Sequence, residues 1–205
     1  MLALIAAAAM VALPNEVKAD YDVFVGDRLA GSATIIRKPV DSKGYIAVQR
    51  IELSAPDGRK AIVNQENEYA TDGTPIRKVL TQGTKTISVV FIGRTARLKV
   101  EDENGSRETT VGAPIEAEIR ATSDLWFVSI TPNRGAIHEY HRFDLNALKW
   151  VKTTARYVGE QQLSTSIGTI AAHLVEIDQN KTWFAADGLP VRMAMDNVRM
   201  ERKAQ

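Results

Sequence analysis

The chain has 205 residues, a quarter of them charged, with 26 Lys and Arg against 25 Asp and Glu and a net charge of +1. So even a balance leaves no basic excess to displace the counterions of a nucleic acid, which argues against a nucleic-acid partner. The absence of cysteine excludes disulfides, thiolate metal sites and lipid attachment through sulfur.

Leu2 to Leu13 is an unbroken apolar run that Pro14 ends. It is shorter than the roughly 20 residues a helix needs to cross a bilayer, and it suits the core of a secretory signal. The basic residues that usually precede such a core are missing, since only the α-amino group stands before Leu2. Val17 and Ala19 lie three and one positions before a cut at Asp20, as signal peptidase prefers. The expectation is a cleavable signal over 1–19, a single β-rich domain over 20–205, and a periplasmic or otherwise exported location. No second apolar stretch is long enough to span a membrane, so the mature chain is expected to lack a transmembrane segment.

The remaining signals are those of strands with period-two alternation between Gly, Asp and Asn turns. Tyr21 to Val25 opens, Gly26-Asp27 turns, and Leu29 to Arg37 follows. In the strand from Tyr45 to Ser54, Ile46 and Val48 have one parity and Ile51 and Leu53 the other, which predicts a bulge near Gln49-Arg50. Pro56-Asp57-Gly58 is a turn by its chemistry. Ala61 to Ala70 is the return strand, and Thr71-Asp72-Gly73 turns again. Thr86 to Ile92 is apolar on both faces, which predicts a central strand covered on both sides. Ala96, Leu98 and Val100 share a face. Asn104-Gly105 then favours a type I′ hairpin into the strand Arg107 to Val111.

Residues 113–135 break the rhythm. Thr122 or Ser123 caps a short helix through Asp124 and Ile130, with a strand as the rival reading because Trp126, Phe127 and Val128 also favour sheets. Strands resume at 137–144, 149–158, 168–178, 181–186 and 190–201. The fold class is therefore mainly β: a large curved antiparallel sheet forming a half-barrel or barrel, with at most one or two short helices.

Tyr21-Asp22-Val23-Phe24-Val25-Gly26 leads to Leu29-Ala30-Gly31; Tyr157-Val158-Gly159-Glu160 leads to Ser166-Ile167-Gly168-Thr169; and Trp183-Phe184-Ala185-Ala186-Asp187-Gly188-Leu189-Pro190-Val191-Arg192 closes the series. This order resembles an uncharacterised family of exported bacterial β proteins, a domain of unknown function with a half-barrel fold similar to the outer-membrane lipoprotein carriers. The resemblance implies a curved sheet around an apolar groove suited to an acyl chain. It implies no activity, because the family has no assigned role. The segment Asp124-Leu125-Trp126-Phe127 is richer in aromatics than the family's helix and departs from the pattern.

No catalytic constellation stands out. His138 and His141 point to opposite faces if their segment is a strand, so they do not share a metal, and His173 stands alone. Serine-nucleophile and phosphate-loop patterns are absent, and nothing selects a carboxylate pair. No catalytic residue, metal site or cofactor is expected. The candidate ligand-binding residues are Trp126, Phe127, Ile130, Trp150, Tyr157 and Trp183, although large aromatics also fill cores. The expected function is that of a non-enzymatic envelope protein that binds or carries an apolar, lipid-like molecule inside a curved sheet. The alternatives are a packed structural or adaptor protein that binds another envelope protein through a sheet edge, and an enzyme acting on envelope polymers.

Overall fold

The alternating segments all form strands in the structure, a computed structural model that describes residues 16–40, 44–55, 57–70, 73–119, 132–166 and 168–204. The first eight are β1 (Val17–Val25), β2 (Arg28–Val40), β3 (Gly44–Ser54), β4 (Lys60–Ala70), β5 (Pro75–Gln82), β6 (Lys85–Ile92), β7 (Thr95–Asp102) and β8 (Gly105–Gly112). After a connecting segment come β9 (Ile137–Asp144), β10 (Lys149–Thr165), β11 (Gly168–Ile177), β12 (Asn180–Phe184), β13 (Pro190–Met195) and β14 (Val198–Arg202). No helix occurs among the described residues. The helix expected at Asp124 to Ile130 lies outside them.

All fourteen strands belong to one sheet in the order β8-β7-β6-β5-β4-β3-β2-β1-β14-β13-β12-β11-β10-β9. Each neighbouring pair is antiparallel. Neighbours in the sheet are also neighbours in the chain except at one seam, where β1 lies beside β14 with Tyr21 opposite Arg202 and Val23 opposite Met200. The edges β8 and β9 are not paired with each other, so the sheet is not closed into a barrel. Val17, Lys18 and Ala19, the end of the expected signal, begin β1 opposite Arg37, Ile36 and Ile35, and Ala19 is buried.

In such a meander the connections alternate between the two ends of the strands. Residues 26–27, 55, 57–59, 83–84, 103–104, 145–148, 178–179 and 196–197 therefore form one rim, called the upper rim below. The lower rim holds the turns 93–94 and 185–189, the end of β8 and the start of β9.

The sheet curls so that its two halves pack on each other. Leu80, Ile87, Val89, Leu98 and Val100 of β5–β7 meet Phe143 and Leu145 from the far edge, with Trp150 beside them. Phe91, Phe143 and Trp150 contact one another edge to face at centroid distances of 5.4–6.0 Å, a preferred geometry for aromatic rings. Polar contacts tie the same corner: Trp150 Nε1 donates to the Val111 carbonyl at 3.3 Å, and the Lys78 ammonium reaches the Phe143 carbonyl at 3.5 Å. A second cluster at the seam joins Ala19, Tyr21, Val23, Ala33, Met200 and Leu189. Burying each large apolar side chain contributes about 1.5–3 kcal/mol, so these clusters hold the curl.

Several sequence expectations are corrected. β5 was not anticipated; its leading Pro75 and the Arg77-Lys78 pair mask the alternation of Lys78 and Leu80, both buried, with exposed or half-buried neighbours. The span 190–201 is two strands, because Asp196 takes a left-handed φ of 48° and turns the chain. β6 is not covered on both sides: Ile87 and Val89 are buried, but Val90 and Ile92 are about half exposed. β3 carries no bulge, since its register is continuous against β2 and β4. The parity of Ile51 and Leu53 runs on through Gln49 and Ala47, so a polar Gln occupies the inner face. The β7–β8 loop is Glu103-Asn104 with Gly105 already paired to Asp102, and its anchor is the Asp102 carboxylate accepting the Asn104 N–H at 2.8 Å. β10 runs seven residues further than its expected end, through a register shift after Tyr157 that Gly159 accommodates at φ 128°.

Candidate binding site

β1–β2 and β3–β4 are adjacent hairpins, so their turns stand side by side on the upper rim. Gly26 takes φ 59° in the first turn, and in the second the Gly58 N–H donates to the Ala55 carbonyl at 3.0 Å. Between the turns lies a cavity of about 470 Å³, within the range of roughly 300–1,000 Å³ typical of small-molecule sites. Its floor is apolar, made by Val25, Ala30, Leu53, Ala55 and Ala61, and its rim carries Arg28, Arg59 and Lys60. Register explains part of the grouping: Arg28 is opposite Val25 and Leu53 opposite Ala61 on the inner face, whereas Lys60, opposite Ser54, has the other parity and borders the cavity only at its lip. Leu53 also packs on the seam cluster of Tyr21 and Val23, so the floor continues into the core. Further along the same face the lining turns polar, with Gln49 opposite Gln65 and the Gln65 amide donating to Asn67 at 3.2 Å.

The three cations differ in their surroundings. Arg59 is held by Asp57, which accepts from its Nε at 2.7 Å and from its backbone N–H at 3.1 Å. Arg28 and Lys60 are exposed, and neither forms an ion pair among the described residues. Beneath them Gly31 sits hard against β3: a Cβ there would fall 1.9 Å from the Glu52 carbonyl oxygen.

A smaller cavity of about 280 Å³ near the β9 edge is lined by Glu116, Glu139, Tyr140, His141 and Lys152. Within it Lys152 pairs with Glu139 at 2.9 Å. The His141 backbone N–H donates to the Glu118 carbonyl at 2.6 Å, which lays the connecting segment along β9.

The histidines do not converge. His138 and His141 lie on opposite faces of β9, and His173 is on β11, two strands away. His138 stacks on Tyr140 at 5.6 Å. Burial holds its imidazole below the ordinary value, with Glu118 pulling weakly the other way. His173 Nδ1 lies 2.9 Å from the Tyr157 hydroxyl, and burial, with Glu160 adding to it, raises the Tyr157 phenol.

The expected aromatic residues do not gather around one cavity. Trp150 belongs to the corner cluster. Tyr157 is buried with Tyr140, Ala155, Val175 and Phe184. Trp183 packs beside Leu163, Ala172 and Val191 and donates from Nε1 to Gln161 at 3.0 Å. None of the three borders the upper cavity. Trp126, Phe127 and Ile130 lie outside the described residues. The cationic rim went unanticipated, although alternating hairpins already place residues 26–28 and 55–60 at one end of the sheet.

No family model matches the chain, and no curated protein does. Among solved structures it is similar to the β-barrel-like protein of Domain of Unknown Function DUF1849 from Brucella abortus. The identity is 13% and the TM-score 0.65, over 91% of this chain and 95% of the other. The two share a β-barrel-like fold. The expected likeness to a domain of unknown function with such a fold is therefore found.

Proposed function

We propose that the protein is an exported, non-enzymatic component of the cell envelope that binds or carries an apolar, lipid-like molecule in its curved sheet. The observation that supports this reading is the upper cavity, whose apolar floor runs into the core while its mouth opens at the rim. An apolar chain lying on Val25, Leu53 and Ala61 loses water-exposed area, which favours binding by about 25 cal/mol per Å² before ordering costs. The test is native mass spectrometry of the protein purified from the exported fraction, followed by organic extraction. A co-purifying lipid near one equivalent is expected. A bare mass, with no thermal shift on adding fatty acids or phospholipids, sinks the reading.

A second reading has its own observation. Among the described residues β8 pairs only with β7, and its residues Gly105 to Thr110 are exposed. An open edge strand is a template for a partner's strand. An adaptor that docks another envelope protein there becomes the better account if no lipid binds.

A further inference from the structure

We propose that the upper cavity selects amphiphiles whose headgroup is anionic, a carboxylate or phosphate, held by Arg28 and Lys60. This rests on the lipid-binding reading and names the ligand's polar end. Three cations from two adjacent hairpins border the cavity. Only Arg59 is neutralised, by Asp57 at 2.7 Å. Arg28 and Lys60 flank the mouth, on β2 and β4, with no carboxylate drawn onto them among the described residues. An unneutralised pair of cations at the lip of an apolar slot repels a cationic headgroup and gains nothing from a neutral one. An anionic headgroup at the mouth offsets that charge while the chain lies on the floor.

Chemistry also sets the ligand's direction. The tail points along the inner face toward the seam cluster, and the head stays at the rim in water. The polar layer of Gln49 and Gln65 lies further along that face, so the apolar contact is confined to the upper part of β2–β4. The Arg guanidinium matches two oxygens of a carboxylate or phosphate at once, and the Lys ammonium acts as a point charge.

The experiment measures binding of oleate and of its uncharged counterpart oleyl alcohol to the full protein by isothermal titration calorimetry. Vesicles of phosphatidylglycerol and of phosphatidylcholine are compared in a parallel arm. The oleate arm detects a free anionic amphiphile, and the vesicle arm detects a membrane-borne phosphate. Oleate or phosphatidylglycerol is expected to bind about five- to tenfold more tightly than its uncharged or zwitterionic counterpart, since an exposed ion pair is worth a factor of roughly 1.5–5. Raising the salt concentration should shrink that preference. Arg28→Gln with Lys60→Gln should abolish it, bringing the affinity for oleate down to that for oleyl alcohol, and Arg28→Glu with Lys60→Glu should turn it into discrimination against oleate. Both positions are exposed, so folding is preserved. Equal binding of oleate and oleyl alcohol, or a preference that survives both substitutions, overturns the headgroup assignment and leaves lipid binding standing. Failure of every amphiphile to bind overturns both.

Discussion

The hydroxyl of Tyr21 donates to the carbonyl oxygen of Pro190 at 2.9 Å, fastening the first strand to the turn that precedes β13. Neighbouring contacts repeat the attachment. The Arg37 guanidinium donates to the Gly188 carbonyl at 2.9 Å, and Arg202 pairs with Asp187 at 2.7 Å. Leu189, fully buried, fills the space between them in the seam cluster. The turn 185–189 is thus pinned onto β1, β2 and β14. Tyr21→Phe keeps the ring and removes the donor, so it should cost about 1–2 kcal/mol, read as a lower urea midpoint with an unchanged slope. Burial raises the Tyr21 phenol above its ordinary value of 10.0. The unfolded chain therefore loses that proton first, and the stabilisation present below pH 10 is lost as pH rises beyond it. Tyr21→Phe should lack this part of the alkaline loss.

Two glycines in strands make a matched pair. A Cβ on Gly31 would fall 1.9 Å from the Glu52 carbonyl oxygen, whereas one on Gly112 would meet nothing within 4 Å. Neither glycine has a left-handed φ. Gly31→Ala is expected to force β2 and β3 apart beneath the upper cavity and to lower stability by about 1–3 kcal/mol. Gly112→Ala should stay within about 0.5 kcal/mol of the parent. Thermal melts of the two variants, run side by side, separate a steric effect from a general intolerance of side chains.

His138 gives the fold a dependence on acid. Its folded value is depressed below 6.5 by burial, so below that pH the unfolded chain binds a proton the folded one resists. Stability should be full above about pH 6.5 and decline as the pH falls toward the depressed folded value, then level off. Urea titrations between pH 5 and 8 should show this decline, and His138→Gln should flatten it. An unchanged slope in the variant would assign the acid sensitivity to other groups.

Removal of Val17, Lys18 and Ala19 should be felt in the sheet. Ala19 is 1% exposed, and the three residues lie opposite Arg37, Ile36 and Ile35. A chain beginning at Asp20 is expected to be less stable than one beginning at Glu16 by about 1–3 kcal/mol, from lost ladder bonds and apolar burial. Sequencing the N-terminus of the protein isolated from cells then tells whether those residues are kept.

Strand existence was legible wherever turn chemistry bracketed a period-two pattern. Gly26-Asp27, Asp187-Gly188 and Pro190 all sit where their backbone preferences put them. Misreadings arose where one residue's environment depends on a partner far along the chain. Gln49 on an inner face looks like a phase error until Gln65 is seen opposite it. Val90 and Ile92 look like core until β6 is found third from an open edge. Trp150, Tyr157 and Trp183 look like one lining until the curl sends them to three different clusters. The upper cavity was hidden for a related reason: its floor is mostly small residues, Ala30, Ala55 and Ala61, which carry no pattern until two hairpins stand together.

The seam between β1 and β14 has a consequence for how the sheet can be built. Each half, β1–β8 and β9–β14, is a run of consecutive hairpins, and one long-range pairing joins them. Were β14 linked directly to β1 and the chain opened between β8 and β9, all fourteen strands would follow one another in sequence. Such a circular permutant would keep every strand pairing while replacing the costliest loop closure with a local one. It should fold faster than the natural order at nearly equal stability. In the natural order, the slow step of folding is expected to be the meeting of two preformed halves along Tyr21–Val25 and Val198–Arg202.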